Sequence, residues 1–193
     1  RAGGVVTQTR WDATARTDEV LMPNGARYLY MDGGAGSLVA TQDPNDWAHD
    51  VGGFPFAMAP ARSAFLIGTG GGLDVAQARL YGVESITAVE VNPASIDLVR
   101  DRGAAAGGVY DEPTRVVIGE GRRVLASGTE RYDLITLANV VTGAAELRGA
   151  ALTENTVYTV EAFREYLEHL TPGGSVALTP ASTVGGAGVS TSA

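Results

Sequence analysis

The stretch Phe65-Leu-Ile-Gly-Thr-Gly-Gly-Gly-Leu-Asp74 decides how the rest of the chain is read. Ala64 to Ile67 is a short apolar run without alternation, as expected of a strand buried on both faces. Gly68, Thr69, Gly70, Gly71 and Gly72 follow directly, and then a helical pattern from about Asp74 to Tyr81 that stops at Gly82. Glycines between a strand and a helix let the backbone turn sharply and approach a ligand closely, and the helix N-terminus offers N–H groups. The plainer reading is a tight turn without a ligand, so the residues downstream have to decide.

Downstream the β-α alternation continues. Ser85 to Val91 reads as a second strand, and Asn92 caps a helix with Pro93 at its first position, ended by Gly103. Arg115 to Ile118 is a third strand and Tyr132 to Leu137 a fourth. Thr159 caps a helix whose apolar face is expected to carry Val160, Phe163, Leu167 and Leu170, closed by Thr171-Pro-Gly-Gly174. Ser175 to Leu178 is a fifth strand. Strands alternating with helices imply a parallel sheet with ligands at the carboxyl ends. The expected fold is α/β, a class I methyltransferase-like, Rossmann-like and mostly parallel sheet, truncated after strand 5.

Upstream the pattern differs. Val5 to Trp11, Thr14 to Leu21 and Ala26 to Met31 read as β segments, with turns at Pro23-Asn24-Gly25 and Asp32-Gly33-Gly34. Trp11 and Trp47 are expected to anchor the packing of this segment. The expected organisation is an N-terminal β segment over 1–60, the α/β unit over 61–179, and a flexible tail over 180–193, rich in Gly, Ala, Ser and Thr.

Two acids add chemistry to the glycine turn. Glu90 ends the second strand, where a carboxylate can accept hydrogen bonds from both ribose hydroxyls. Glu120, in Gly119-Glu120-Gly121, ends the third, where a carboxylate can accept from an adenine amino group. The bland alternatives are a solvated strand-end acid and a turn glutamate. A dinucleotide fingerprint needs a small residue three places after Gly70, and Leu73 stands there instead. Gly68-x-Gly70-x-Gly72 with later acids suits an S-adenosyl nucleoside better. Asp74, at the start of its helix, reads first as a cap.

The segments Phe65 to Asp74, Ile86-Thr-Ala-Val-Glu-Val-Asn-Pro93 and Val117-Ile-Gly-Glu-Gly-Arg-Arg123 together resemble the nucleoside-binding half of the spermidine synthases. Tyr132-Asp-Leu-Ile135, Tyr158-Thr-Val-Glu-Ala-Phe163 and Leu170-Thr-Pro-Gly-Gly174 extend the resemblance. It is closest to the bacterial subgroup whose synthase-like domain is often joined to membrane helices. The resemblance implies S-adenosylmethionine or its decarboxylated form as co-substrate, no metal, and a small-molecule acceptor such as a polyamine. It implies that Gly68, Thr69, Gly70 and Gly72 pass the amino-acid portion of the nucleoside. Glu90 and Val91 would hold the ribose side, Glu120 and Gly121 the adenine, and Leu137 would lie along the ring.

The chain departs from that family where the chemistry is done. Two aspartates beyond the fourth strand bind and help deprotonate the amine in spermidine synthases, and the matching positions here are Ala138 and Val141. The weak catalytic candidates that remain are Asn139, Glu154 and Asp50, with Glu146 as a further acid. His49-Asp50, His169 and Arg122-Arg123 read as surface features. Three readings stay open: aminopropyl transfer, methyl transfer, and a nucleoside-binding module of a membrane-associated protein without turnover.

Composition limits the partners. The 193 residues fit one domain, and 45% hydrophobic with 19% charged residues suits a packed core. A net charge of -8 argues against nucleic acid, which needs clustered Lys and Arg. Cysteine is absent and there are two histidines, so no thiolate or His-rich metal site is expected. No apolar run approaches membrane-span length. The expected location is the cytoplasm. The chain begins with Arg1, which leaves room upstream for a leader or membrane segment. An uncovered sheet edge makes a homodimer a reasonable expectation.

Overall fold

The computed structural model describes residues 3–13, 15–34, 36–138 and 156–179, and in these a four-stranded and a five-stranded sheet lie side by side. The first is an antiparallel meander of β1 (Val5–Trp11), β2 (Arg16–Leu21), β3 (Arg27–Met31) and β4 (Gly36–Leu38). Its β2–β3 turn forms where Asn24 and Gly25 stand: Gly25 takes φ +87° and Asn24 Oδ1 accepts the Ala26 N–H at 3.1 Å. The sequence did not announce β4, a strand of three residues with little apolar character.

The second sheet holds β5 (Ser63–Ile67), β6 (Ser85–Glu90), β7 (Arg115–Ile118), β8 (Tyr132–Ala138) and β9 (Leu170–Thr179), all parallel in the order β7-β6-β5-β8-β9. Helices α1 (Phe54–Met58), α2 (Leu73–Leu80), α3 (Pro93–Arg100), α4 (Gly121–Ala126) and α5 (Val160–Glu168) complete the elements used below. Side chains of a strand alternate between faces, and β5 feeds both core layers. Ala64 and Leu66 pack with Val75, Ile96 and Leu98 of α2 and α3, while Phe65 and Ile67 pack with Leu125 and Tyr166 of α4 and α5. This is the expected α/β, Rossmann-like sheet with a small N-terminal β sheet beside it.

The two sheets are joined by polar contacts onto α3. Asn92 caps α3 as expected, accepting the Ala94 N–H at 3.0 Å, and its Nδ2 donates to Thr17 Oγ1 at 2.7 Å. Glu19, fully buried on β2, accepts from Arg27 at 2.8 Å and from Arg102 at 3.1 Å. Two guanidiniums around a buried carboxylate remove the cost of an unpaired charge.

The last helix and strand correct the expectation. Val160 and Leu167 are exposed on α5, and the residues it buries are Ala162 and Tyr166, with Phe163 packed beside them. Leu170 belongs to β9 and pairs with Tyr132. Thr171-Pro-Gly-Gly174, expected as a turn, falls within the bounds of β9 but outside its ladder: pairing passes from Tyr132–Leu170 to Leu134–Ser175, Gly173 takes φ +85°, and Thr171 Oγ1 donates to Asp133 Oδ1 at 2.7 Å. Residues 180–193 lie outside the described residues.

Candidate functional site

The strand order places the carboxyl ends of β7, β6 and β5 next to one another, so the turn after β5, Glu90 at the end of β6 and Glu120 after β7 stand in a row along one edge. The turn needs its glycines: Gly68, Gly70 and Gly72 take φ of +79°, +42° and +85°. A β carbon on Gly72 would stand 2.5 Å from Val109 Cγ2, and one on Gly71 would stand 2.0 Å from the Leu38 carbonyl oxygen. The N-terminal segment thus presses on the turn, through a bridge of Val39 with Gly72 and an Ala40 N–H to Gly71 O bond of 2.9 Å.

The N–H groups expected to be on offer are those of the helix N-terminus, and the five of the turn itself are paired within the chain. Gly68 and Thr69 donate to Val89 O at 2.8 and 3.4 Å, and Gly72 donates to Thr69 O at 2.7 Å. Gly70 donates to Glu90 Oε2 at 2.8 Å and Gly71 to Ser37 Oγ at 2.8 Å. The carbonyl oxygens of Thr69, Gly70, Gly71 and Gly72 also accept bonds within the chain, so the turn itself offers a ligand chiefly its shape.

Glu90 is buried, not solvated, and its second oxygen accepts the Asn92 N–H at 2.9 Å. Burial raises its pKa, and the bonds from Asn92 and Gly70 oppose that rise. Glu120 caps α4, accepting from Arg122 N at 3.0 Å and Arg123 N at 2.8 Å. Each carboxylate oxygen keeps a further lone pair for a ligand hydroxyl or amino group. Val91 and Ile118, each 49% exposed at neighbouring strand tips, give this edge apolar surface, and Ile118 had no signal in the sequence beyond its place before Gly119. Leu137 is wholly buried in the core on the α4–α5 face of the sheet. Gly121 is buried against Ile67, whose Cγ2 would stand 2.3 Å from an added β carbon.

Tyr110 was not foreseen. Its hydroxyl meets Thr69 Oγ1 at 3.0 Å and Gly70 O at 2.8 Å, which fixes the middle of the turn. Burial raises its pKa well above the ordinary phenol value, so the hydroxyl stays a donor. Arg79 of α2 holds the Tyr110 segment in place by donating to Gly108 O, Val109 O and Thr114 Oγ1. A lone tyrosine in a glycine-rich loop carries no periodic signal.

Among the acids expected near the acceptor, Asp50 sits on an exposed turn, where its Oδ1 accepts the Gly52 N–H at 2.8 Å. Asp74 makes no side-chain cap, since Gly72 occupies the cap position of α2. Its carboxyl lies among protein atoms although the residue keeps some solvent contact, and burial, with the Asp50 charge second, pushes its pKa up to about 7. Asn139, Val141, Glu146 and Glu154 lie outside the described residues, and Ala138 is described only as part of β8. Arg122 proves to be a clamp and not a free surface residue: it reaches both oxygens of Glu165 at 2.7 Å and ties α4 to α5. His169 is partly buried, with carbonyl oxygens of Glu165 and Gly128 at 2.8 and 3.3 Å. Trp47 is the expected anchor, but Trp11 is 74% exposed with Arg16 over its ring.

Two open clefts, of about 510 and 240 Å³, lie away from the strand tips, the first beside Arg100 and Glu112 and the second beside Thr87 and Ser127. The first is lined by Arg100, Tyr110, Asp111, Glu112 and Arg115, but neither cleft includes the glycine turn, Glu90 or Glu120, so the strand-tip edge stays the candidate. Among the described residues no three acidic or histidine side chains are grouped to hold a metal, and no helix is long and apolar enough to cross a membrane.

No family model matches the sequence, and no curated protein matches it as a sequence relative. Solved structures do. The fold is similar to that of spermidine synthase from Thermotoga maritima, with a TM-score of 0.64 and 16% identity over 90% of this chain and 55% of that one. It is also similar to a spermidine synthase in complex with the transition state analogue AdoDATO, with a TM-score of 0.63 and 16% identity over 86% of this chain and 55% of that one. The likeness establishes a spermidine-synthase-like fold, and the chain spans about half the length of these neighbours.

Proposed function

We propose that this chain binds an S-adenosyl nucleoside across the tips of β5, β6 and β7 and transfers an alkyl group from its sulfonium to a small amine. The observation that carries this reading is the position of Glu90, buried between the glycine turn and Asn92, with half-exposed Val91 and Ile118 beside it. In this reading the amino-acid portion passes Gly68, Thr69, Gly70 and Gly72. Glu90 accepts from the ribose hydroxyls, Val91 and Ile118 meet the adenine faces, and Glu120 beside Gly121 accepts from the adenine amino group.

The chemistry is a displacement at carbon. The acceptor nitrogen donates its lone pair to a carbon bonded to sulfur, the C–S pair moves onto sulfur, and a neutral thioether leaves. The nitrogen then loses a proton to a base. The protein contributes alignment, since methyl and aminopropyl transfer differ in which carbon faces the nucleophile. The complex of a similarly folded spermidine synthase with AdoDATO supports decarboxylated S-adenosylmethionine as the donor and a polyamine-like acceptor.

Product analysis tests the proposal. Incubation with the decarboxylated nucleoside and a diamine is expected to yield methylthioadenosine. S-adenosylhomocysteine from the intact nucleoside would identify a methyltransferase instead. A second reading, a module that binds the nucleoside without turnover, is favoured by one feature: by the sequence resemblance, Ala138 and Val141 match the positions at which spermidine synthases carry catalytic acids. Saturable nucleoside binding with neither product would select it.

A further inference from the structure

We propose that the cleft at the amino end of β7 binds a small aliphatic α-amino acid, with Arg100 taking its carboxylate and Glu112 its ammonium. The cleft, of about 510 Å³, lies between Arg100 at the end of α3, the segment 110–114, and Arg115 and Val116 of β7. That volume is in the range of sites for small organic molecules. It stands at the opposite end of β7 from Ile118 and Glu120, and so apart from the strand-tip edge.

One wall of the cleft is built in advance. Arg79 of α2 donates to Gly108 O, Val109 O and Asp111 O at 3.1, 3.1 and 3.0 Å, and to Thr114 Oγ1 at 2.7 Å. The Asp111 and Thr114 N–H groups close two turns, onto Gly108 O and Asp111 O, at 3.0 Å each. The Tyr110 hydroxyl fastens the same segment to Thr69 and Gly70. A backbone tied at so many points carries its side chains at fixed positions, which lowers the cost of ordering them on binding.

The charges in the cleft are not equally engaged. Arg115 gives Nη1 to both oxygens of Glu130, at 2.9 and 3.1 Å. The Asp111 carboxylate lies over Gly108, where a β carbon would stand 2.8 Å from its Oδ2, and its charge acts on Arg79. Arg100 and Glu112 are left over. Arg100 makes one long bond, from Nη2 to Tyr110 O at 3.4 Å, and Glu112 has no hydrogen-bond or ion-pair partner among the described residues. Two opposite charges thus line one cleft without engaging each other.

This pattern selects the charge of the ligand. A phosphate drawn to Arg100 meets Glu112 and Asp111, and a diamine drawn to those acids meets Arg100 and Arg115, so a like charge opposes each. A molecule with both a carboxylate and an ammonium is matched at both ends. A guanidinium holds a carboxylate with paired N–H donors, and a glutamate accepts from an ammonium. Pro113 and Val116 give an aliphatic body an apolar wall. Neither Arg100 nor Glu112 belongs to the strand-tip edge, so the proposal stands without the nucleoside reading.

The test is titration calorimetry on the full chain with L-leucine and with its two halves, 4-methylpentanoate and 3-methylbutylamine. Arg100→Gln and Glu112→Gln follow, each shown by circular dichroism to melt like the unaltered chain. Both side chains are exposed, so neither change disturbs the core. Leucine is expected to bind saturably, one to one, and at least tenfold more tightly than either half. Arg100→Gln should weaken leucine at least tenfold and leave it no better than the amine. Glu112→Gln should do the same and leave it no better than the carboxylate. A half that binds as tightly as leucine, equal affinity for leucine in the variants and the unaltered chain, or no heat from millimolar leucine overturns the site. Methylthioadenosine titrated into the unaltered chain keeps the two claims apart: its failure to bind removes the nucleoside reading and leaves the leucine result standing.

Discussion

The Glu90 carboxylate accepts the Gly70 N–H at 2.8 Å, and its other oxygen accepts the Asn92 N–H at 2.9 Å. One side chain at the end of β6 therefore ties the glycine turn to the start of α3. The acid read from the sequence as a ligand contact is also the bolt that shapes the site.

Removing that bolt leaves two backbone donors unpaired in a buried place. Hydrogen bonds to a charged group are worth about 1.5–3 kcal/mol each, and an orphaned buried donor costs about as much. Glu90→Ala is expected to lose on the order of 3 kcal/mol in urea unfolding. A midpoint unchanged from the unaltered chain would show that the contacts carry no weight.

Asp74 gives a pH signature of definite sign. Its folded pKa, about 7, lies above the ordinary carboxyl value, so the folded state holds the proton more tightly than the unfolded one. Stability from this group is full below the unfolded pKa and is lost as pH rises toward 7. Asp74→Asn, which carries no charge to bury, should be more stable than the unaltered chain at pH 8, by on the order of 1–2 kcal/mol after allowance for its partial solvent contact. That gain should vanish near pH 4, as read from melting curves across the range.

Gly121 is held to glycine by Ile67. A β carbon would stand 2.3 Å from Ile67 Cγ2, so Gly121→Ala should cost about 1–3 kcal/mol as overpacking. Combined with Ile67→Ala, which removes Cγ1 and Cγ2, the total loss should be smaller than the sum of the two single losses, since residues in contact couple. Additive losses in the double variant would place the strain elsewhere.

Gln77→Leu should raise stability by about 1 kcal/mol, because it replaces a buried amide that has no partner among the described residues with an apolar group of similar size. Thermal unfolding checks this. A loss of stability would mean that the amide has a partner in solution.

How far the sequence could be read follows from which interactions are local. The run Phe65 to Asp74 and the pair Asn92-Pro93 gave the β5–turn–α2 unit and the cap of α3, because glycine torsions and capping act within a few residues. The buried face of α5 was misread because Val160 and Leu167 fit a helical stripe as well as Ala162 and Tyr166 do, and the sheet beneath, with Arg122 clamped on Glu165, chose the latter. Nor could the sequence show that Ser37 and Tyr110 would reach the glycine turn from 34 and 40 residues away. Such contacts depend on topology alone.

The account depends on a strand-tip edge that takes an adenosine-bearing sulfur compound. Titration calorimetry of methylthioadenosine with the unaltered chain and with Glu90→Gln addresses it directly. Saturable one-to-one binding, weakened at least tenfold (about 1.4 kcal/mol) by the substitution, is predicted. Absence of heat together with no rise in melting temperature at millimolar nucleoside, or equal affinity in the two proteins, would contradict it.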